Sequence, residues 1–354
     1  MIMITKKTPL LHKLKIAMMT ITILLLVAIL AFVVFYFWAS SGTLTEDKQS
    51  EIINYSHSGV PPTTPETFTI MTFNIGYLSG MFNNQSERRQ NKAFFNKNMD
   101  SFLQRLKMIQ PDFIAFQEID FYSHRSYYVD QLKTIAKSAG YPFAAKAVNW
   151  DKRYVPFPYW PPSVHFGRML SGQAVLSRYP ILNAQRIVLQ KPAINPFYYN
   201  AFYLDRLVQV AKIKIDNRYL IILNTHLEAW CQETREQQAN VVLDIYRTYK
   251  DNYPVLLMGD FNTVPPNAPQ KRYFQDEPET DFSTDKTLET FLKEKSLKAA
   301  ELNNLTFPTD KPTRKLDYIF YNHERITLIE VSMPEMNSSD HLPLVMKFAF
   351  KATN

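Results

Sequence analysis

Residues Ile16 to Ala39 carry no charge, are rich in Ile, Leu, Val and Phe, and have no polar face that a helix could turn toward water. Wound as an α-helix this run spans about 36 Å, enough to cross a bilayer core. A soluble fold would have to surround such a helix on every side. Lys6, Lys7, Lys13 and Lys15 precede it, so membrane insertion is the expectation. A cleavable signal peptide is the competing assignment, but its apolar region runs to only ~7–15 residues. The expectation is therefore a cytoplasmic basic segment at 1–15 and an uncleaved transmembrane signal-anchor helix at 16–39, with Phe35, Tyr36, Phe37 and Trp38 at the far interface.

Behind the helix, residues 40–66 combine Ser41-Gly42, Gly59, Pro61-Pro62, Thr63-Thr64 and Pro65 with charges of both signs. That composition reads as a flexible tether. Patterned sequence then continues to the end, and residues 67–354 read as one domain. The formal net charge of +7 hints at a nucleic-acid partner. Four of those charges are the lysines ahead of the apolar run, and 7 less 4 leaves +3 for everything else, a weak basis for gripping a duplex. The single cysteine, Cys231, cannot form an internal disulfide and has no supporting constellation for a nucleophile. An inert or partly buried thiol is expected there.

Alternation predicts strands at Phe68–Ile75, Phe113–Phe116, Gln173–Leu176, Leu207–Ile215, Leu220–Leu223, Val255–Met258, Leu316–Phe320 and Leu344–Phe350. Helical spacing predicts helices over Asn91–Ile109 and about Gln232–Tyr249. Adjacent strand pairs mixed with strand-helix alternation favour a layered α/β sandwich over a doubly wound sheet. Between Trp150 and His165, five aromatics alternate with Pro156, Pro158, Pro161 and Pro162. A loop is expected there, either folded on its own aromatics or forming a flap that touches substrate or membrane.

Polar residues cluster where the apolar strands end, the usual place for chemistry on a rigid scaffold. The clusters are Thr72-Phe73-Asn74-Ile75, Phe116-Gln117-Glu118, Asn224-Thr225-His226-Leu227, Met258-Gly259-Asp260-Phe261-Asn262, Leu316-Asp317-Tyr318 and Ser338-Ser339-Asp340-His341. Singly, each carboxylate could be a solvated terminus or a helix cap. Asp317 inside an apolar strand needs a buried partner, and His226 and His341 are the natural candidates. Gly76, Gly172 and Gly259 fall in or beside these clusters, where a close approach to a ligand would need glycine.

In residue type and order, from Asn74 through Pro111-Asp112, Glu118, Ser177-Arg178-Tyr179-Pro180, His226 with Arg235 and Gln238, Asp260, Asn262 and Asp317 to Asp340-His341, the chain resembles the endonuclease/exonuclease/phosphatase superfamily over about residues 68–350. That group includes deoxyribonuclease I and neutral sphingomyelinases. The resemblance implies a four-layer sandwich of two mixed β-sheets flanked by helices, here joined to one N-terminal transmembrane helix. It implies hydrolysis of a phosphoester with Mg2+, Mn2+ being possible, since the donors are oxygens with no cysteine cluster. Glu118 resembles the main metal ligand, with Asn74 and Asp340 holding the ion or its waters.

By the same resemblance, Asp260 orients or deprotonates the attacking water, and Asn262, two residues along an extended segment, holds water and phosphate. His226 and His341 donate to phosphoryl oxygens, with Asp317 fixing the His341 tautomer. Arg206 falls where a basic residue meets the phosphate, although Asp205 beside it could simply pair with it. Gln173 stands where the deoxyribonuclease-like branch has an acid. An amide there could orient His226 without stabilising its charge, which favours the phosphatase and lipid phosphodiesterase branches.

The expected function is a membrane-anchored, Mg2+-dependent phosphoester hydrolase, a phosphodiesterase on lipid-linked or other extracytoplasmic phosphoesters. The alternatives are an extracytoplasmic nuclease, with nucleic acid as substrate, and a tethered binding protein without turnover. The lysines place the N-terminus in the cytoplasm and the catalytic domain outside it. Asn337-Ser338-Ser339 is a glycosylation pattern abutting Asp340, where a glycan would crowd the site. A bacterial periplasm is therefore expected over a eukaryotic lumen.

Overall fold

The computed structural model describes residues 9–55, 65–83 and 89–352. Lys6, Lys7 and the Gly59–Thr64 part of the expected tether lie outside the described residues. Helix α1 (Pro9–Ser40) is long and apolar enough to cross a membrane, a property that a signal sequence shares. Its Leu, Ile, Val and Phe side chains are exposed along most of its length. At its C-terminal end it meets the globular part. There the Phe35 and Tyr154 rings are 5.8 Å apart, the Tyr36 and Phe202 rings 5.5 Å apart, and Ala39 is buried.

The segment after α1 departs from the expected tether. Ser50–Asn54 forms β1, an edge strand antiparallel to β4 (Phe143–Val155). The turn before it is pinned by Asp151 of β4, whose Oδ2 accepts from Thr43 N at 2.6 Å and Leu44 N at 2.7 Å. Arg168 closes an ion pair on the other oxygen at 2.6 Å. Residues 41–55 are thus docked on the domain, because a buried carboxylate and an open strand edge both find partners there.

The first sheet holds seven strands. These are β1, β2 (Phe68–Asn74), β3 (Phe113–Asp120), β4, β5 (Gly167–Ser177), β12 (Ile326–Ser332) and β13 (Leu344–Phe350), in the order β1-β4-β5-β3-β2-β13-β12. The second holds six: β6 (Ile181–Val188), β7 (Leu207–Ile215), β8 (Arg218–His226), β9 (Val255–Asp260), β10 (Leu297–Ala299) and β11 (Asp317–Asn322), in the order β10-β11-β9-β8-β7-β6. Each sheet is mixed, with β2 parallel to β3 and β8 parallel to β9.

Alternate side chains of one strand serve two cores. Ile70 faces the inter-sheet layer with Ile222, Met258 and Ile319, while Met71 and Phe73 meet Phe102 and Leu106 of α2 (Lys92–Ile109). Helix α3 (Gln131–Ala139) covers the same outer face. Helices α5 (Gln232–Lys250) and α6 (Thr287–Leu292) cover the second sheet through Val242, Tyr246 and Phe291, and α4 (Phe197–Asn200) is one turn on the loop before β7. This is the expected four-layer arrangement of two mixed sheets flanked by helices. Strands buried on both faces lose the polar alternation that sequence reading relies on. Trp150 also departs from the expected loop: β4 continues to Val155, and the prolines begin just beyond it.

Candidate active site

The site gathers at one end of the two sheets, where β2, β3, β8 and β9 finish and β11 and β13 begin. Register brings the groups together: His226 lies opposite Asp260 on the parallel strand, and Asp260 opposite Asp317 on the antiparallel one. Glycine at 259 permits this spacing. Its φ is +139°, and a Cβ there would collide with the Thr225 carbonyl oxygen. Gly172 likewise approaches Ala147 backbone. These two glycines therefore serve strand packing and not the ligand approach expected of them.

One pole of the site is acidic. Glu118 sits at a break in the β3–β5 register with a left-handed φ of +52°, which turns its carboxylate out of the sheet and into the cleft. The Nδ2 of Asn83 donates to Glu118 Oε2 at 3.2 Å and to Asp340 Oδ1 at 3.3 Å. Burial, together with the Glu118 charge, pushes the Asp340 carboxyl up to about 6 against the opposing pull of His341. Two carboxylates drawn toward one positively polarised amide are a hard-oxygen donor set that fits Mg2+ or Mn2+.

Asn74, expected beside the ion, turns its amide nitrogen to these acids. Nδ2 donates to Glu118 Oε1 at 3.3 Å and to Asp260 Oδ2 at 3.0 Å, while its oxygen accepts from Gly76 N. In this arrangement Asn74 bridges the two poles and positions their carboxylates.

The other pole holds the histidines. His341 Nδ1 is 2.8 Å from Asp317 Oδ2, and its Nε2 is 3.7 Å from Asp260 Oδ2. Burial opposes charge on this ring, but Asp317 and Asp260 overcome it and raise the imidazolium to about 10. Asp260, Asp317 and His341 are close enough to form a metal cage. The short Nδ1–carboxylate contact instead makes Asp317 and His341 a hydrogen-bonded pair with Asp260 3.7 Å beyond, and an ion there would compete with the imidazolium.

Burial and the neighbouring Asp317 raise Asp260 to about 7. His226 is pushed well below its ordinary value by burial, then by Arg206 and His341. Its Nε2 lies 3.4 Å from Asp260 Oδ2 and 4.0 Å from Glu118 Oε1. A neutral ring facing two carboxylates carries its proton on that nitrogen.

Asn262 lines the same cavity but is not in an extended segment. Its φ is +49°, with its backbone N–H bonded to Asp260 Oδ1 at 2.9 Å and Nδ2 donating to the Leu227 carbonyl. Arg206 is buried at the cavity wall with its Nε 3.7 Å from Glu228 Oε2, and neither Nε nor Nη1 has a hydrogen-bond partner among the described residues. Asp205 turns away to Arg186 and Lys191.

Gln173 is misplaced by the sequence reading. Its Nε2 donates to the Asn224 carbonyl at 2.8 Å, it does not line the cavity, and His226 Nδ1 has no hydrogen-bond partner among the described residues. The Gln173 amide satisfies strand backbone instead.

Sequence reasoning missed Asn83, Glu228 and Phe307. Glu228 holds Arg206 from the loop after β8, itself braced by Gln238 Oε1 on its N–H and by Arg235 on its carbonyl. The Phe307 ring packs 4.7 Å from that of His341. The Arg235 and Gln238 matches gave the only available signal for Glu228, and nothing marked Asn83 or Phe307. Cys231 is partly buried at the N-terminus of α5 and takes no part in the site.

The human Nocturnin catalytic domain, solved with bound sulfate, has the same fold. It matches with a TM-score of 0.54 and 19% identity, over 87% of this chain and 100% of its own. A protein of the same superfamily from Beutenbergia cavernae matches at 0.56 and 18%, over 81% and 72% respectively. ANGEL2, a 2',3'-cyclic phosphatase, matches at 0.54 and 17%, over 88% and 100%. No relative is found among curated protein sequences. The Endonuclease/Exonuclease/phosphatase family profile matches residues 71–341. The chain therefore belongs to the endonuclease/exonuclease/phosphatase family, whose members are metal-dependent phosphoester hydrolases.

Proposed function

We propose that residues 67–354 hydrolyse a phosphoester with Mg2+ or Mn2+ held by Glu118 and Asp340, and that α1 anchors this domain on the outer face of a membrane. The observation that carries the hydrolytic reading is the pairing of an oxygen-only pole, joined by the Asn83 amide, with a pole of Asp260, His226 and His341 bridged by Asn74. A cation bound at the first pole neutralises charge developing on the phosphoryl group.

The chain's own residues do the remainder. Asp260, raised to about 7, is poised to take a proton from water near neutrality. The Asn262 amide and Asn74 hold that carboxylate and the water beside it. The attacking oxygen forms its bond to phosphorus as the P–O ester bond breaks; the departing alkoxide takes a proton from water, and Asp260 returns its proton to solvent. His341, kept protonated by Asp317, and neutral His226 donate to the phosphoryl oxygens, joined by the unpartnered N–H groups of Arg206.

The test is full-length protein in detergent with 4-nitrophenyl phosphate esters. Activity that requires Mg2+ or Mn2+ and disappears in Asp260→Asn supports the reading. Full activity after exhaustive chelation overturns it.

A further inference from the structure

The cavity above these groups has a volume of about 1040 Å³, at the top of the ~300–1,000 Å³ range of pockets that enclose whole small ligands. Its catalytic floor needs little of that space. The walls are aromatic, and they come from three places: Phe157 and Tyr159 beyond β4, Phe197 and Phe202 around α4, and Phe32 and Tyr36 of α1 itself. The apolar helix is therefore part of the active-site wall. It is fixed there by the Phe35–Tyr154 and Tyr36–Phe202 ring contacts, by Lys152 Nζ on the Ser40 carbonyl at 2.9 Å, and by Asp151 below.

Depth follows from helix geometry. Counting from Ile16, a hydrocarbon core of ~30 Å takes about twenty helical residues, ending near Phe35. The α1 residues that line the cavity thus fall at the outer boundary of the acyl region. Tyr159, Phe197 and Trp230 on the same cavity are 63%, 80% and 69% exposed, as suits side chains resting in a membrane interface.

Charge separates an apolar occupant from a polyanionic one. Among the described lining residues, Arg125 is paired with Asp120 at 3.0 Å and Arg314 with Asp276 and Glu277 at 2.8 Å. Arg206 faces a single acid, Glu228, through Nε at 3.7 Å, and its buried Nη1 has no hydrogen-bond partner among the described residues. That is provision for one phosphate, whereas a nucleic-acid strand needs a basic groove that follows its backbone.

Resting on the hydrolase reading, we propose that the substrate is a membrane lipid phosphoester. It enters sideways from the outer leaflet, with its apolar chain along the aromatic gallery against Phe32 and Tyr36 of α1 and its phosphate at Arg206. The anchor is then a component of the substrate site as well as a tether.

Full-length protein in detergent micelles is offered methyl and dodecyl versions of a 4-nitrophenyl phosphodiester and of the corresponding alkyl monoester, with a single-stranded DNA oligonucleotide as a further arm. The dodecyl ester should exceed the methyl ester in kcat/KM by at least about 100-fold, given ~0.8 kcal/mol per buried methylene. Tyr36→Ala and Phe197→Ala should each cut that ratio about tenfold. Phe197 is largely exposed, so its variant tests the gallery without loading the fold. Cleavage of both esters without chain-length preference, or a preference untouched by both variants, overturns this inference and leaves the hydrolase reading standing. DNA cleaved faster than the dodecyl esters also overturns it. Failure to cleave any probe with Mg2+ or Mn2+ overturns the hydrolase reading itself.

Discussion

His341 Nδ1 and Asp317 Oδ2 stand 2.8 Å apart, both buried, so the imidazolium is held in one orientation with its Nδ1 proton on the carboxylate. Asp317→Asn keeps the shape and removes the charge. It should lower kcat by about 10²- to 10⁴-fold, as should His341→Ala, the usual range for a lost acid-base group. Steady-state kinetics beside a thermal melt checks this. Near wild-type turnover in a folded Asp317→Asn would remove the pair from the mechanism.

Glu118 and Asp340 share the Asn83 amide, so loss of either carboxylate should be felt first as weakened metal binding. In Glu118→Gln the Mg2+ concentration giving half-maximal activity should rise at least about tenfold, within the range that even outer ligand partners produce. Isothermal titration of metal into the variant gives a readout independent of turnover. An unchanged affinity would exclude Glu118 as a ligand.

Arg206 is locked by Glu228, with Tyr203 Oη donating to that acid at 2.7 Å. Arg206→Lys keeps a charge to pair with Glu228 but loses the planar guanidinium that can face Glu228 through Nε and offer its remaining N–H groups to a phosphoryl group. We expect kcat/KM to fall about 10²-fold, in line with loss of one preorganised donor. Wild-type kinetics in this variant would show that the unpartnered nitrogens do not face substrate.

Asp151 ties the residues after α1 to β4 through the amides of Thr43 and Leu44. Burial opposes its ionisation, but those two amides and Arg168 outweigh it and hold the carboxyl below its ordinary 3.8. A depressed carboxylate contributes stability that is present above the unfolded value and is lost as pH falls through the folded one. Docking should therefore persist at pH 5 and loosen only below about pH 4. At neutral pH, Asp151→Asn should speed hydrogen exchange at both amides by at least about tenfold, because charge-assisted bonds are lost. Unchanged protection would mean that the strand β1 pairing alone holds the segment.

Lys13 and Lys15 before the apolar core of α1 predict that the catalytic domain is translocated. An alkaline phosphatase fused after Asn354 should be active and a fluorescent protein in the same position dark. The reverse pattern would reverse the topology.

The sequence by itself determined much of this protein. The apolar run at 16–39 required a helix that water cannot solvate. Alternating strands with helices between them gave the class of fold, and the order of Asn74, Glu118, His226, Asp260, Asp317 and His341 at strand ends identified the family. All of these are local signals, carried by period and by neighbours in the chain. Tertiary structure decided what no local pattern encodes. Strand register set Asp260 opposite both His226 and Asp317. A register break turned Glu118 into the cleft, and Asn83, invisible among ordinary polar residues, joined Glu118 to Asp340. Gln173 was drawn to backbone instead of His226, since a buried carbonyl must be satisfied before a ring can be oriented. The pinning of Thr43 and Leu44 by Asp151 and the aromatic wall shared by α1 and α4 join residues more than a hundred positions apart. Only folding brings such residues into contact, and that contact docks part of the expected tether on the domain and sets Phe32 and Tyr36 of α1 at the cavity wall.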